Sequence, residues 1–162
     1  MINKKQNFEI IEFNEDLKNY IKTLNYEWLE KHFRIEETDI INLSNPKENI
    51  IDKGGLIYYA KLNNKIVGTV SLLKKTNTIF ELAKMAVTIN AQGYGIGTKL
   101  LEHAIKIAKQ KQLEKLILYS NTKLETAINI YKKYGFIETE LEIDLYERAN
   151  IKMEKQLYKH LK

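Results

Sequence analysis

Apolar residues recur at intervals of three and four through Leu17, Tyr20, Ile21, Leu24, Trp28 and Leu29, the spacing of one helix face. The stretch before them, Phe8 to Phe13, alternates as a strand does, and Asn14 stands between the two as an N-cap. The chain therefore opens as strand, then helix. From Ile35 to Ile51 the pattern weakens into an acidic segment holding the single proline, Pro46. It reads as loop with room for a short helix, closed by Gly54-Gly55.

Leu56 to Leu62 and Ile66 to Leu73 are β-rich runs joined by Asn63-Asn64, whose side chains tolerate the positive φ of a tight hairpin. A third strand, Ile79 to Thr88, completes an antiparallel meander and runs into a glycine-rich loop. Beyond the loop the pattern alternates. Thr98 to Gln110 is helical, Leu116 to Tyr119 a short buried strand, and Ala127 to Tyr134 a helix stopped by Gly135. A last β pair runs from Phe136 to about Leu141 and from Tyr146 to about Leu157. This predicts a single α+β domain: a mixed central sheet of about six to seven strands, an N-terminal meander followed by β-α-β-α-β, with flanking helices.

Composition narrows the chemistry. The chain has 162 residues, 44% hydrophobic and 29% charged, the range of one globular domain. It has no cysteine, which excludes disulfides, thiolate metal sites and a thiol nucleophile. His32, His103 and His160 lie far apart without ligand spacing, so no metal site is expected and each reads as an ordinary surface histidine. No signal-like or membrane-length apolar run occurs, which predicts a cytoplasmic protein without a membrane partner. Lys+Arg (26) exceeds Asp+Glu (21), but the lysines are interleaved with acids, so no nucleic-acid partner is expected.

The loop Gln92-Gly93-Tyr94-Gly95-Ile96-Gly97, followed by Thr98, lies between a strand and a helix. Glycine allows converging backbone N–H groups, and a helix N-terminus adds partial positive charge, which together suit a pyrophosphate. A plain strand-to-helix turn also uses glycine. A Walker loop would end in Gly-Lys-Ser/Thr, whereas Gly97-Thr98-Lys99 stands here. A dinucleotide fingerprint needs G-x-G-x-x-G and a later acid; here the spacing is G-x-G-x-G, with no acid after Leu116 to Tyr119. A coenzyme A site is the third reading.

Gln92-x-x-Gly95-x-Gly97, the strand Glu81 to Thr88 before it, and Ala127-Ile-Asn-Ile-Tyr131-Lys-Lys-Tyr-Gly135-Phe136 downstream resemble the two signatures of the GNAT superfamily of acetyl-CoA-dependent N-acetyltransferases. The close match covers about Phe80 to Ile137. The resemblance implies acetyl-CoA as cofactor, with Met85, Ala86 and Val87 along the pantetheine and the amides from Gln92 to Thr98 at the pyrophosphate. Lys99 is a candidate for the coenzyme's outer phosphate, or is simply solvated. Many family members carry an asparagine about seven residues before the helix tyrosine; that position is Leu124 here. Asn121 is the nearest substitute on the cofactor side, and capping of the following helix is its other reading.

Attack by an amine needs a base, and the departing thiolate, of reference pKa about 8.5, benefits from an acid. Glu81 aligns with the catalytic glutamate of the histone-acetylating branch of the family, acting through a water. In a strand it shares a face with Ala83, Met85 and Val87; without the resemblance it reads as a solvated glutamate. Tyr131 is the acid by family spacing, or a core aromatic on an amphipathic helix, with Tyr134 as its control. An N–H near Met85 serves the developing oxyanion if the strand splays there.

The acceptor is an amine of a small molecule or peptide. Tyr26, Glu27, Trp28, Glu30, Phe33, Glu36, Glu37 and Asp39 offer a cationic amine an acidic face, or form a solvated one. Arg148, placed in the last strand, reads as a carboxylate binder or as an ion-pair partner of a neighbouring acid. A homodimer is compatible with the sequence, and a non-catalytic coenzyme-binding module is the second functional reading.

Overall fold

The computed structural model describes residues 2–142 and 147–158. Among the described residues seven strands form one sheet in the order β1-β2-β3-β4-β5-β7-β6. They are β1 (Phe8–Glu12), β2 (Leu56–Leu62), β3 (Lys65–Lys74), β4 (Ile79–Val87), β5 (Lys115–Ser120), β6 (Ile137–Thr139) and β7 (Ile151–Gln156). The helices are α1 (Lys18–His32), α2 (Glu37–Ser44), α3 (Ile96–Gln110) and α4 (Glu125–Lys133). Every strand pair is antiparallel except β4 with β5. Asn63 and Asn64 turn the β2–β3 hairpin with φ of 50° and 67°, the left-handed pair this tight turn requires.

Two apolar clusters hold the sheet. Leu100, Leu101 and Ala104 of α3 pack on Val70, Leu72, Leu82, Leu116 and Met153, with Ile128 of α4 and Phe136 joining them. On the opposite face Ile21 of α1, Leu43 of α2 and Ile50 pack against Ile57 and Tyr59. Each such side chain contributes roughly 1.5–3 kcal/mol through burial.

The N-terminal third departs from expectation. Asn14 precedes a short 3-10 turn, Glu15–Leu17, and makes no side-chain cap, while α1 begins only at Lys18. The weakly patterned segment is helical: α2 is followed by a π-helical turn, Lys47–Ile51. Its pattern misleads because the buried face carries Asp39 at 0% exposure, while Ile40 and Ile41 are 48% and 49% exposed. Asp39 belongs inside because its carboxylate accepts the N–H of Glu36 at 2.9 Å, closing the first turn. Arg148 lies not in the last strand but in the turn before β7. Of the last β pair, Tyr146 and its neighbours at 143–146 lie outside the described residues.

Candidate active site

β4 and β5 pair at Ile79 with Lys115, Phe80 with Leu116 and Glu81 with Ile117, and there the ladder stops. Both strands continue, β4 to Val87 and β5 to Ser120. The parted strands open a cavity of about 190 Å³, lined on one side by Glu81 to Met85 and on the other by Leu118 to Asn121 and Tyr131. Asn25, Trp28, Leu29 and Phe33 of the α1 end, with Asp39 and Arg148, form the remaining wall.

A bulge deforms β4 at the mouth of this opening. Ser71 pairs with Ala83 and Thr69 with Ala86, so Val70 opposes the two residues Lys84 and Met85. Lys84 takes φ of 54°. Directly opposed residues share a face. Glu81, Ala83 and Ala86 therefore point with Leu73, Ser71 and Thr69 to the α1 side, and Leu82 and Val87 point with Leu72 and Gly68 to the α3 side. Met85 and Val87 pack against the α3 cluster. The shared face predicted for Glu81, Ala83, Met85 and Val87 is thus incorrect beyond Ala83, because the extra residue at the bulge inverts the alternation.

The loop after β4 is anchored on both flanks. Glu27 of α1 accepts hydrogen bonds from the Thr88 hydroxyl at 3.1 Å and the Ile89 N–H at 2.7 Å. Gln92 Nε2 donates to the Val87 carbonyl at 3.2 Å. Gly93 and Gly95 adopt φ of 89° and 77°, a region in which a Cβ is penalised. Tyr94 and Ile96 turn their side chains into the α3 core, so what the loop presents outward is backbone. The Lys99 N–H bonds to the Gly95 carbonyl at 3.1 Å, leaving Ile96, Gly97 and Thr98 as the leading amides of α3. The Lys99 ammonium lies 5.8 Å from the Phe8 ring centroid.

Glu81 is 2% exposed, which overturns the solvated reading, and its Oε1 meets Lys75 Nζ at 3.0 Å. Tyr131 borders the same cavity, packs edge-on against Phe136 at 5.9 Å, and has its phenol pushed up to about 12 by burial. Tyr134 is not part of the lining. Asn121 donates from Nδ2 to the Arg148 carbonyl at 2.8 Å and accepts the Lys123 N–H at 3.0 Å. It joins β5 to the turn before β7 rather than capping α4, whose N-cap is Leu124.

The remaining wall is held by ion pairs, the second of the two readings for Arg148. Asp39 Oδ1 and Oδ2 accept from Arg148 at 2.8 and 2.7 Å, and Oδ1 meets Lys84 Nζ at 3.1 Å. Arg148 also reaches Glu36 at 2.6 Å, and Arg34 pairs with Glu147. Burial pushes the Asp39 carboxyl up, but Arg148, Lys84 and the Glu36 N–H outweigh it and hold the group below its ordinary value of 3.8. Glu27, Glu36 and Asp39 are therefore engaged within the protein and do not form the acidic face predicted for the acceptor. His103 is no surface histidine: its ring stands edge-on to Tyr58 at 4.5 Å, and Nε2 is buried. His160 lies outside the described residues. Among the described residues no three His, Asp or Glu side chains converge as metal ligands, and no helix is long and apolar enough to cross a membrane.

The profile of the acetyltransferase (GNAT) family matches residues 15–136. The chain belongs to this family. It is 27% identical over 108 residues to a streptothricin acetyltransferase from Escherichia coli, a match covering 66% of this chain and 62% of that protein. It is 28% identical over 100 residues to the camello N-acetyltransferase of Xenopus tropicalis, covering 60% of this chain and 45% of that one. The chain thus spans less than two thirds of the length of these relatives. A GNAT acetyltransferase structure from Staphylococcus aureus Mu50 superposes with a TM-score of 0.83 at 26% identity, covering 94% of this chain and all of the other (100%). Within the GNAT frame the parted β4 and β5 and the bulged β4 border one cavity, and the glycine loop follows at the end of β4.

Proposed function

We propose that the chain is an N-acetyltransferase that moves an acetyl group from acetyl-CoA to an amine of a small molecule or peptide, by direct attack with both substrates bound. The observation that carries this reading is the parting of β4 from β5 beside a bulge, with a buried carboxylate and a phenol on the lining. The donor set suits the coenzyme. A Cβ at Gly93 would meet nothing within 4 Å, so there is room beside the chain at that position for a ligand to approach. The N–H groups of Ile96, Gly97 and Thr98 then head a 15-residue helix toward a pyrophosphate. Met85, Ala86 and Val87 lie where the ladder to β5 has ended, which leaves main-chain groups for a pantetheine held like an added strand. Bound there, the coenzyme supplies an acyl group activated as a thioester.

The chain's own residues orient the reactants and manage protons. Glu81 takes the proton that an alkylammonium must lose before its nitrogen attacks. Tyr131, whose phenol is pushed up to about 12, keeps its proton at neutral pH and holds it for the departing sulfur. The Met85 N–H, at the bulge, would donate to the oxygen on which charge develops. The test measures thermal shift with acetyl-CoA and free-thiol release with a panel of amines: streptothricin, since a relative is named for it, then polyamines, amino acids and lysine peptides. Stabilisation with thiol release from one amine is expected. Stabilisation without release from any amine would identify a coenzyme-binding module instead, and no stabilisation would reject both. Glu81→Gln should lower kcat about 100-fold, most at low pH where the acceptor is protonated. A parental rate across the pH range would remove Glu81 from the mechanism.

A further inference from the structure

Lys84 holds a left-handed conformation that its own side chain does not favour, because a Cβ in that region crowds the following carbonyl oxygen. Such strain persists where surrounding contacts over-determine it. Two contacts do so here. Asn25 of α1, 4% exposed, donates from Nδ2 to the Lys84 carbonyl at 3.3 Å, and the same amide is tied to the Ile21 carbonyl at 2.8 Å. At the other end of the residue Lys84 Nζ meets Asp39, with the two side chains 5% and 0% exposed. Asp39 is itself locked by the Glu36 N–H and by the Arg148 guanidinium, so it cannot follow Lys84 if the bulge relaxes.

A peptide unit is planar and trans, so its C=O and N–H point in opposite directions. Whatever fixes the Lys84 carbonyl therefore fixes the direction of the Met85 N–H. We propose that Asn25 and Asp39 are positioning residues for acyl transfer: gripping Lys84 by its carbonyl and its ammonium, they hold the bulge and with it the aim of the Met85 N–H. This rests on the reading of that N–H as the donor to the thioester oxygen. It extends that reading by assigning the geometry to two side chains outside the glycine loop. Both belong to α1 and α2, the elements that also wall the acceptor side, so the grip links that side to the reacting strand.

The test uses the full chain with ¹⁵N-labelled methionine, in which Met85 is one of only three methionines, and the variants Asp39→Asn and Asn25→Leu. In the parent, the Met85 amide resonance should differ between the coenzyme A and acetyl-CoA complexes. In both variants that difference should shrink at least about twofold, while kcat falls about 10- to 100-fold and coenzyme affinity stays within about threefold. A role confined to stability would lower the unfolding midpoint and leave the resonance and kcat of the folded enzyme as in the parent. Folded variants with a parental resonance difference and kcat within about twofold would overturn the positioning role alone. A parent whose Met85 amide ignores the acetyl group would bring down the oxyanion reading and this proposal together. Should Asp39→Asn fail to fold, Asn25→Leu carries the test, because it removes no charge from the buried cluster.

Discussion

The two sides of the cleft are built by different physics. The loop side is local and made of backbone: Gln92 to Thr98 are consecutive, two glycines supply the left-handed turns, and the leading amides of α3 follow directly. The opposite side, proposed for the acceptor, is assembled from charges far apart in sequence. Glu36 and Arg148 are 112 residues apart, Asp39 and Lys84 are 45, and the other three meet around the Asp39 carboxylate, which solvent does not reach. A backbone site tolerates change in its side chains but not in its φ angles. A site of buried charge tolerates bending but not the loss of a partner. If that division holds, damage on one side should leave the other side's signature intact.

Arg148→Met breaks the acceptor side most severely. It leaves Asp39 with the Lys84 ammonium and the Glu36 N–H and strips Glu36 of its guanidinium; a buried charge left wholly unpaired costs about 3–5 kcal/mol, and the variant should lose a substantial part of that. Urea unfolding at neutral pH should show that loss. The Asp39 carboxyl is held below its ordinary value of 3.8 in the fold, so its stabilisation is present above that value and is lost as pH falls through the folded one. The gap between parent and variant should therefore narrow below about pH 4. Coenzyme should still raise the unfolding temperature of the folded variant, and disappearance of that shift would show the two sides to be one unit.

Gly95→Val is the converse. At φ of 77° a β-branched residue costs about 1–2 kcal/mol, and the leading amides of α3 lose their alignment. Coenzyme affinity should drop at least about tenfold. The acid limb of stability, set by Asp39, should keep its parental shape. A flattened limb would mean that the glycine loop also supports the ion cluster.

Legibility in the sequence follows the same division. The glycine spacing, the Asn63-Asn64 hairpin and the α3 stripe could be read because glycine, asparagine and apolar periodicity announce their own backbone. The face of Met85 and Val87 is not legible because the bulge falls on Lys84, and lysine carries no signal of a positive φ. α2 reads only as room for a short helix within a loop because its inward position is an aspartate and two of its isoleucines face outward. Glu27, assigned to the acceptor, instead anchors Thr88 and Ile89, 61 and 62 residues on. Pairings of this kind depend on the tertiary fold and leave no spacing to detect.

His103 belongs to neither side and gives the most delicate check. It sits on α3 with its ring edge-on to Tyr58, and its buried Nε2 has no hydrogen-bond partner among the described residues. Burial, then Lys106, pushes its pKa below 6.5 against a smaller opposing pull from Glu12. A depressed histidine stabilises the fold above its unfolded value and loses that contribution as pH falls through the folded one, so His103 adds acid lability below about pH 6.5. His103→Phe keeps the aromatic contact while removing both the unpaired nitrogen and the titration. Its unfolding free energy at pH 7 should equal the parent's or exceed it by up to about 1 kcal/mol. The decline between pH 7 and 5 should become shallower, measured by urea midpoints across that range. Coenzyme affinity should not move, because this ring packs on β2, remote from the parted strands. A change in affinity would carry the cofactor side through α3 to its inner face, and the boundary between the two kinds of construction would have to be redrawn.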